Sequence, residues 1–141
     1  EDTWTYFPDR NLTLGRTHEP PNWSPRMAPQ GSTSLCVEIF CNEGDAVWRS
    51  ADATLADTVT RELDKLGFVS RSRVQNAWVT RVPNAYPIYR VGYRELLEGA
   101  QAQLSHWPTL HLVGRTGSFK YLNIDTVIQQ ALHAARDLNP N

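Results

Sequence analysis

The 141 residues amount to 16.0 kDa, room for one medium domain, and a compact chain of that size buries roughly 68–70% of its unfolded surface. Hydrophobic residues make up 40% and charged residues 21%, an ordinary globular composition that argues against disorder. A net charge of −1 and a pI near 6.5 lack the basic excess of a nucleic-acid binder, and no apolar run approaches the roughly 18–20 residues of a membrane span.

The first residues, Glu1-Asp2-Thr3-Trp4, lack the charged-then-apolar build of a signal peptide. An opening at Glu1 rather than Met leads us to expect a processed chain or a piece of a longer one. Residues 1–33 are punctuated by Pro8, Gly15, Pro20, Pro21, Pro25, Pro29 and Gly31, with short extended pieces at Trp4–Phe7 and Leu12–Arg16. Pro20–Gly31 reads as an irregular surface loop. Its Trp23 and Met27, with nearby His18, could equally cover a site.

Ser34–Cys41 is apolar on both faces apart from Glu38, which predicts a central strand. On such a strand Cys36 and Cys41 stand roughly 16 Å apart and on opposite faces, too far for a disulfide. Two buried free thiols in a reducing cytoplasm are therefore expected, and their spacing does not suit zinc. From a cap at Ser50 a helix is predicted to run to about Leu66, with Asp52 in its first turn. Leu55, Val59, Leu63 and Leu66 form its stripe and Gly67 its stop. Val74–Val82 resumes β character through Ala77-Trp78-Val79, and Pro83 ends it. A tyrosine-rich connector, residues 83–89, leads to a helix over Tyr93–Leu104, where Tyr93, Leu96, Leu97, Ala100 and Leu104 repeat at helical spacing. A short buried strand is predicted at Leu110–Val113, and a last helix from about Ile124 to Arg136 with Val127, Ile128, Ala131, Leu132 and Ala135 apolar. No internal repeat or low-complexity tract interrupts this order.

The segment Leu110–Arg136 carries the chemistry. A strand ending in Gly114 lets the backbone approach a ligand closely. Arg115 adds a fixed positive fork suited to phosphate or to sugar hydroxyls. The following helix, with Asn123 or Asp125 at its cap, presents free amides and the positive end of its dipole. Together these parts suit an anionic, polar ligand. The same residues also suit a plain turn with Arg115 paired to an acid, and the pattern by itself does not choose between the two.

Residues 112–125, Leu-Val-Gly-Arg-Thr-Gly-Ser-Phe-Lys-Tyr-Leu-Asn-Ile-Asp, precede a small-residue helix containing Ala134 and Ala135. This resembles the closing FAD-binding motif of the flavin amine oxidase superfamily, which includes protoporphyrinogen oxidase-like and phytoene desaturase-like enzymes and the UDP-galactopyranose mutases. The Gly-Arg, the Tyr six residues later and the Asn-x-Asp at the helix start are most similar to the mutase-like branch. Residues 82–89, Val-Pro-Asn-Ala-Tyr-Pro-Ile-Tyr, resemble that branch and its oxidoreductase relatives, as do residues 28–35, Ala-Pro-Gln-Gly-Ser-Thr-Ser-Leu.

What the resemblance implies can be stated residue by residue. Gly114 and Arg115 would lie along the FAD pyrophosphate and ribityl chain. Asn123, Ile124 and Asp125 would meet the ribityl and the pyrimidine end of the flavin, where a helix dipole favours the anionic reduced form. Tyr86 and Tyr121 match tyrosines that bind a nucleotide-sugar diphosphate in the mutases, with Tyr89 and Arg90 as weaker additions. The pattern also departs from the family. None of the glycines at 15, 31, 44, 67, 92, 99, 114 and 117 gives the Gly-x-Gly-x-x-Gly turn that anchors the dinucleotide.

The expectation is therefore an α+β fold, with a mixed or antiparallel sheet and about three helices. Residues 1–109 form a substrate-side region and residues 110–141 the strand and helix of an incomplete FAD domain. The chain is expected to be the C-terminal part of an FAD-dependent, amine oxidase-like oxidoreductase, or of a mutase acting on a nucleotide sugar. A stand-alone, non-enzymatic binding module is the reading from another class. Expected partners are the parent enzyme's small-molecule substrate, the missing dinucleotide-binding domain and, for the isolated chain, a second copy joined over residues 110–136. His18, His106, His111 and His133 are scattered, with His111 expected in the core. No serine or carboxylate pair has a catalytic setting.

Overall fold

Short extended pieces among the first forty residues find one another and make the sheet. In the computed structural model, which describes residues 3–138, the strands are β1 (Thr5–Tyr6), β2 (Arg16–His18) and β3 (Cys36–Glu38). They form one antiparallel sheet in the order β1-β2-β3, with Thr5 opposite Thr17 and Thr17 opposite Val37. The protein is α+β, with five α-helices among the described residues, three of them longer than one turn. The chain divides into two units, Glu1–Arg81 and Val82–Asn141, so the boundary drawn by role at residue 109 falls inside the second.

In the first unit the centre of the sheet is β2, not the Ser34–Cys41 segment. Only Cys36–Glu38 of that segment pairs, and it lies at an edge. Its thiols are free as expected, but Cys36 and Cys41 are both exposed, because a three-residue edge strand has no neighbour to cover its outer side. Burial, and after it the negative charge of Glu38, raise the Cys36 thiol above its ordinary 9.0, with Arg16 opposing. Cys36 is thus exposed as a residue without being an activated thiolate.

Helix α1 (Ala46–Arg49) is a single turn that feeds α2 (Asp52–Lys65). The second follows the predicted stripe, with Leu55 and Leu63 buried and Asp52 and Lys65 at the ends their charges suit. The core of this unit is small: among the described residues Leu14, Thr17, Leu55 and Leu63 are buried. One carboxylate ties the turn before β2 to α2. Glu62 accepts from the Thr13 amide at 2.9 Å and from the Leu14 amide at 3.1 Å.

Over β2, Trp4 and Trp23 close on His18, with ring centroids 4.2 and 4.9 Å from the imidazole. Trp23 belongs to the Pro20–Gly31 segment, which forms two short 3₁₀ turns, Pro20–Asn22 and Pro25–Met27. Burial lowers the His18 pKa below its ordinary 6.5, with Glu38 opposing and Arg16 adding to the drop. Its Nδ1 is buried with no hydrogen-bond partner among the described residues.

Two predicted strands do not form. Val74–Val82 contains no strand, and Trp78 at its middle is 86% exposed. β-Branched and aromatic residues prefer strands because neighbours cover them, and no neighbour is offered here. Arg81 at its end serves another purpose, donating from Nε to Trp48 O at 2.7 Å, with Nη1 2.6 Å from Asp52. Leu110–Val113 is likewise irregular, since the described part of the second unit holds no strand to pair with.

The second unit consists of α3 (Tyr93–Leu104), the single turn α4 (Gly114–Gly117) and α5 (Ile124–Leu138). Helix α3 has the predicted bounds. The turn α4 replaces the open glycine loop expected after residue 113. Gly114 adopts φ +75° and donates its amide to Gln130 Oε1 of α5 at 2.9 Å. A Cβ at Gly117 would stand 3.3 Å from the Leu112 carbonyl carbon, so a larger residue there would make the backbone give slightly. No described residue of this unit is fully buried, and His111, expected in the core, is exposed. No helix among the described residues is long and apolar enough to cross a membrane.

Candidate functional site

Arg115 organises the second unit. It stands in α4, half-buried, and its guanidinium reaches two backbone segments at once. Nε and Nη2 donate to Leu122 O at 3.2 and 2.7 Å, and Nη1 donates to Ala85 O at 3.2 Å. The connector over residues 82–89 is thereby held against the loop that enters α5. Arginine has five N–H donors; these three bonds leave one on Nη1 and one on Nη2 for a ligand.

The same guanidinium lies beside two tyrosines. Its central carbon is 5.2 Å from the Tyr86 ring centroid and 4.7 Å from that of Tyr121, within cation–π range. The two rings stack on each other, 5.4 Å apart and 14° from parallel. Tyr89 supports them from behind: its hydroxyl accepts from the Tyr121 amide at 2.8 Å, while its ring meets Tyr93 and Phe119. Two segments distant in sequence, the connector with Ala85 and Tyr86 and the loop with Tyr121 and Leu122, thus converge on one charge.

The backbone on either side of the tyrosines is unusual. Asn84 has φ +53° and Phe119 has φ +49°, the two non-glycine residues with positive φ among those described. Asparagine tolerates that conformation. For phenylalanine it costs about 1–2 kcal/mol. Each stands two residues before its tyrosine, so the chain is turned just ahead of both rings. Ala85, Leu122, Phe119 and Gln130 are participants that residue types do not reveal. A bulky residue in the left-handed region has no signature in the sequence.

Other predicted positions are placed less centrally. The carbonyl of Asn123 accepts from the Val127 amide at 3.1 Å, which sets Asn123 at the cap of α5. The amides of Ile124, Asp125 and Thr126 therefore have no acceptor within the helix. Asp125 is exposed in the first turn and Ile124 is 79% exposed. Gly114 is next to Arg115, but its amide is already bonded to Gln130. Arg90 does not join the cluster; it borders a shallow apolar groove of about 380 Å³ with Ile88, Val91, Leu96 and Phe119.

Chemically, the arrangement offers a fixed cation with two open donors, two stacked phenol rings beside it, and a helix start two residues beyond the carbonyl that Arg115 holds. Such a set suits a diphosphate or another divalent oxyanion joined to a planar or sugar group. No side chain here is arranged as a nucleophile with its base. No family model, curated protein or solved structure matches the chain.

Proposed function

We propose that this chain supplies the closing cofactor- and substrate-contacting segment of an FAD-dependent oxidoreductase of the flavin amine oxidase type. The dinucleotide-anchoring turn, absent from these 141 residues, would come from other polypeptide. One observation carries the reading: Tyr86, Arg115 and Tyr121, singled out by resemblance to that superfamily, converge with the guanidinium about 5 Å from both rings.

The residues fit such a cofactor in part. Arg115 would hold a phosphate or ribityl oxygen through its two open N–H groups. The first amides of α5 would lie toward the flavin ring system, where the helix dipole favours added negative charge. Gly114 would contribute its small size and not its amide, which Gln130 occupies. FAD, when bound, supplies the redox chemistry; the residues of this chain bind and orient.

The stacked tyrosines favour a second reading, a mutase-like flavoenzyme whose substrate is a nucleotide sugar. Two phenols beside a guanidinium suit a diphosphate, and Tyr86 and Tyr121 are the positions that match the mutase tyrosines. The two readings are separated by incubating the native, dithionite-reduced protein with UDP-galactopyranose and UDP-galactofuranose. Interconversion establishes the mutase; its absence in a flavin-containing preparation leaves the oxidoreductase. A preparation without flavin contradicts both.

A further inference from the structure

Helix α5 turns one side toward α4, through Val127, whose Cγ1 is 3.6 Å from where a Gly114 Cβ would stand, and through Gln130, which holds the Gly114 amide. Its other side is apolar and open. Ile124, Ile128 and Leu138 are 79%, 54% and 56% exposed, and Leu132 beside them 53%. With Ala131 and Ala135 the stripe reads 124, 128, 131, 135, 138, a four-three spacing. That average of about 3.5 residues is the seam period of paired helices.

The occupant is encoded in the order of sizes along the seam. We infer that α5 pairs antiparallel with α5 of a second copy of this chain. With the two-fold axis midway between positions 129 and 130, Ile128 faces Ala131 of the second copy and Ile124 faces its Ala135. The layers between 124 and 135 then each set a large side chain against a small one, the condition for interdigitation at native density, and Leu138 lies beyond the last of them. Leu132 flanks the seam and shields it.

A parallel pair does worse on each count. It stacks isoleucine on isoleucine and alanine on alanine, aligns the two helix dipoles, and places Asp125 beside Asp125. The antiparallel pair sets the dipoles head to tail. It also brings Asp125 toward the Arg136 end of the second copy, along the edge that Asp125, Gln129, His133 and Arg136 share beside Ile128 and Leu132. The inference does not rest on the flavin reading, which shares with the seam only Ile124 and its neighbour Asp125 at the start of α5.

Sedimentation of the full chain tests it. The wild-type protein is expected to be dimeric at about 100 µM, and Ile128→Glu/Leu132→Glu is expected to weaken the dimer roughly 100-fold or more with helix content unchanged. Leu96→Glu, on the equally exposed face of α3, should leave the dimer intact. Orientation is read by mixing Ile128→Cys with Ala131→Cys chains, both carrying Cys36→Ser and Cys41→Ser. Disulfides between unlike chains support the antiparallel seam, whereas disulfides joining like chains contradict it. If the glutamate pair lowers helix content, Ile128→Gln/Leu132→Gln is read in its place. A monomer in the wild type, or a dimer indifferent to both seam variants, overturns the inference.

Discussion

Replacing Arg115 with alanine withdraws three N–H donors from two backbone carbonyls, Leu122 O and Ala85 O. It also removes a cation from beside the rings of Tyr86 and Tyr121. At this partly exposed site the bonds to each carbonyl contribute about 0.5–1 kcal/mol net, and each exposed cation–π contact about 0.5–1 kcal/mol. The loss should therefore be roughly 2–4 kcal/mol, confined to the loops that the guanidinium joins. The sharpest readout is amide hydrogen exchange at Tyr121, whose N–H is bonded to Tyr89 Oη. A loss of that size speeds exchange there by about 30-fold or more, while the Leu55 and Leu63 amides of α2, in the other unit, should be unaffected. Arg115→Lys retains the charge without the fork and should resemble alanine more than wild type. A change at Tyr121 below about threefold in Arg115→Ala would refute the claim that this guanidinium holds the site together.

Three further outcomes follow from the first unit and from the missing cofactor anchor. Glu62→Ala leaves the Thr13 and Leu14 amides without their acceptor, and Leu14 is only 1% exposed; urea unfolding should show a loss of roughly 2–4 kcal/mol, with Glu62→Gln about half as damaging. Because the folded state holds His18 below its ordinary 6.5, the unfolded chain binds the proton first. Stability is thus full above 6.5 and falls as pH drops toward the folded value, a slope that His18→Leu should flatten in unfolding curves taken between about pH 7.5 and 5. The 141-residue chain by itself should bind free FAD weakly or not at all by calorimetry, because a helix terminus contributes only about 0.3–1 kcal/mol per charge contact; micromolar affinity would contradict the division of the cofactor site between this chain and other polypeptide.

Helices were the legible part of the fold. Tyr93–Leu104 and Asp52–Lys65 show themselves through a repeated apolar stripe, the latter with Gly67 as its stop, and both lie where that pattern puts them. Strands were legible only in part: β1 and β3 fall within Trp4–Phe7 and Ser34–Cys41, but a strand is a relation between two segments and residue type records only one of them. Val74–Val82 and Leu110–Val113 have β-forming composition and no partner, while Arg16–His18, polar and unremarkable, is the centre of the sheet. The exposed cysteines are the same error seen from the side, since their burial was inferred from a central strand that is an edge.

The site divides in a similar way. Arg115 could be picked out by its place after Gly114, Tyr86 and Tyr121 only by the resemblance, and the structure brings the three together. Arg90, one of the weaker additions in the resemblance, stays outside the cluster, at a distance that depends on how residues 88–92 turn into α3. The carbonyls of Ala85 and Leu122 and the left-handed Phe119 belong to main-chain geometry, which composition and periodicity leave unspecified.

The most direct test of the flavin reading is the cofactor content of the protein isolated under native conditions from its own cells, with whatever polypeptide accompanies these residues. The account predicts a yellow preparation carrying one FAD for each copy of this sequence, in a complex or chain that also contains a Gly-x-Gly-x-x-Gly turn, and it predicts that Arg115→Ala lowers that occupancy. A colourless preparation, or flavin bound just as fully after Arg115→Ala, would contradict it.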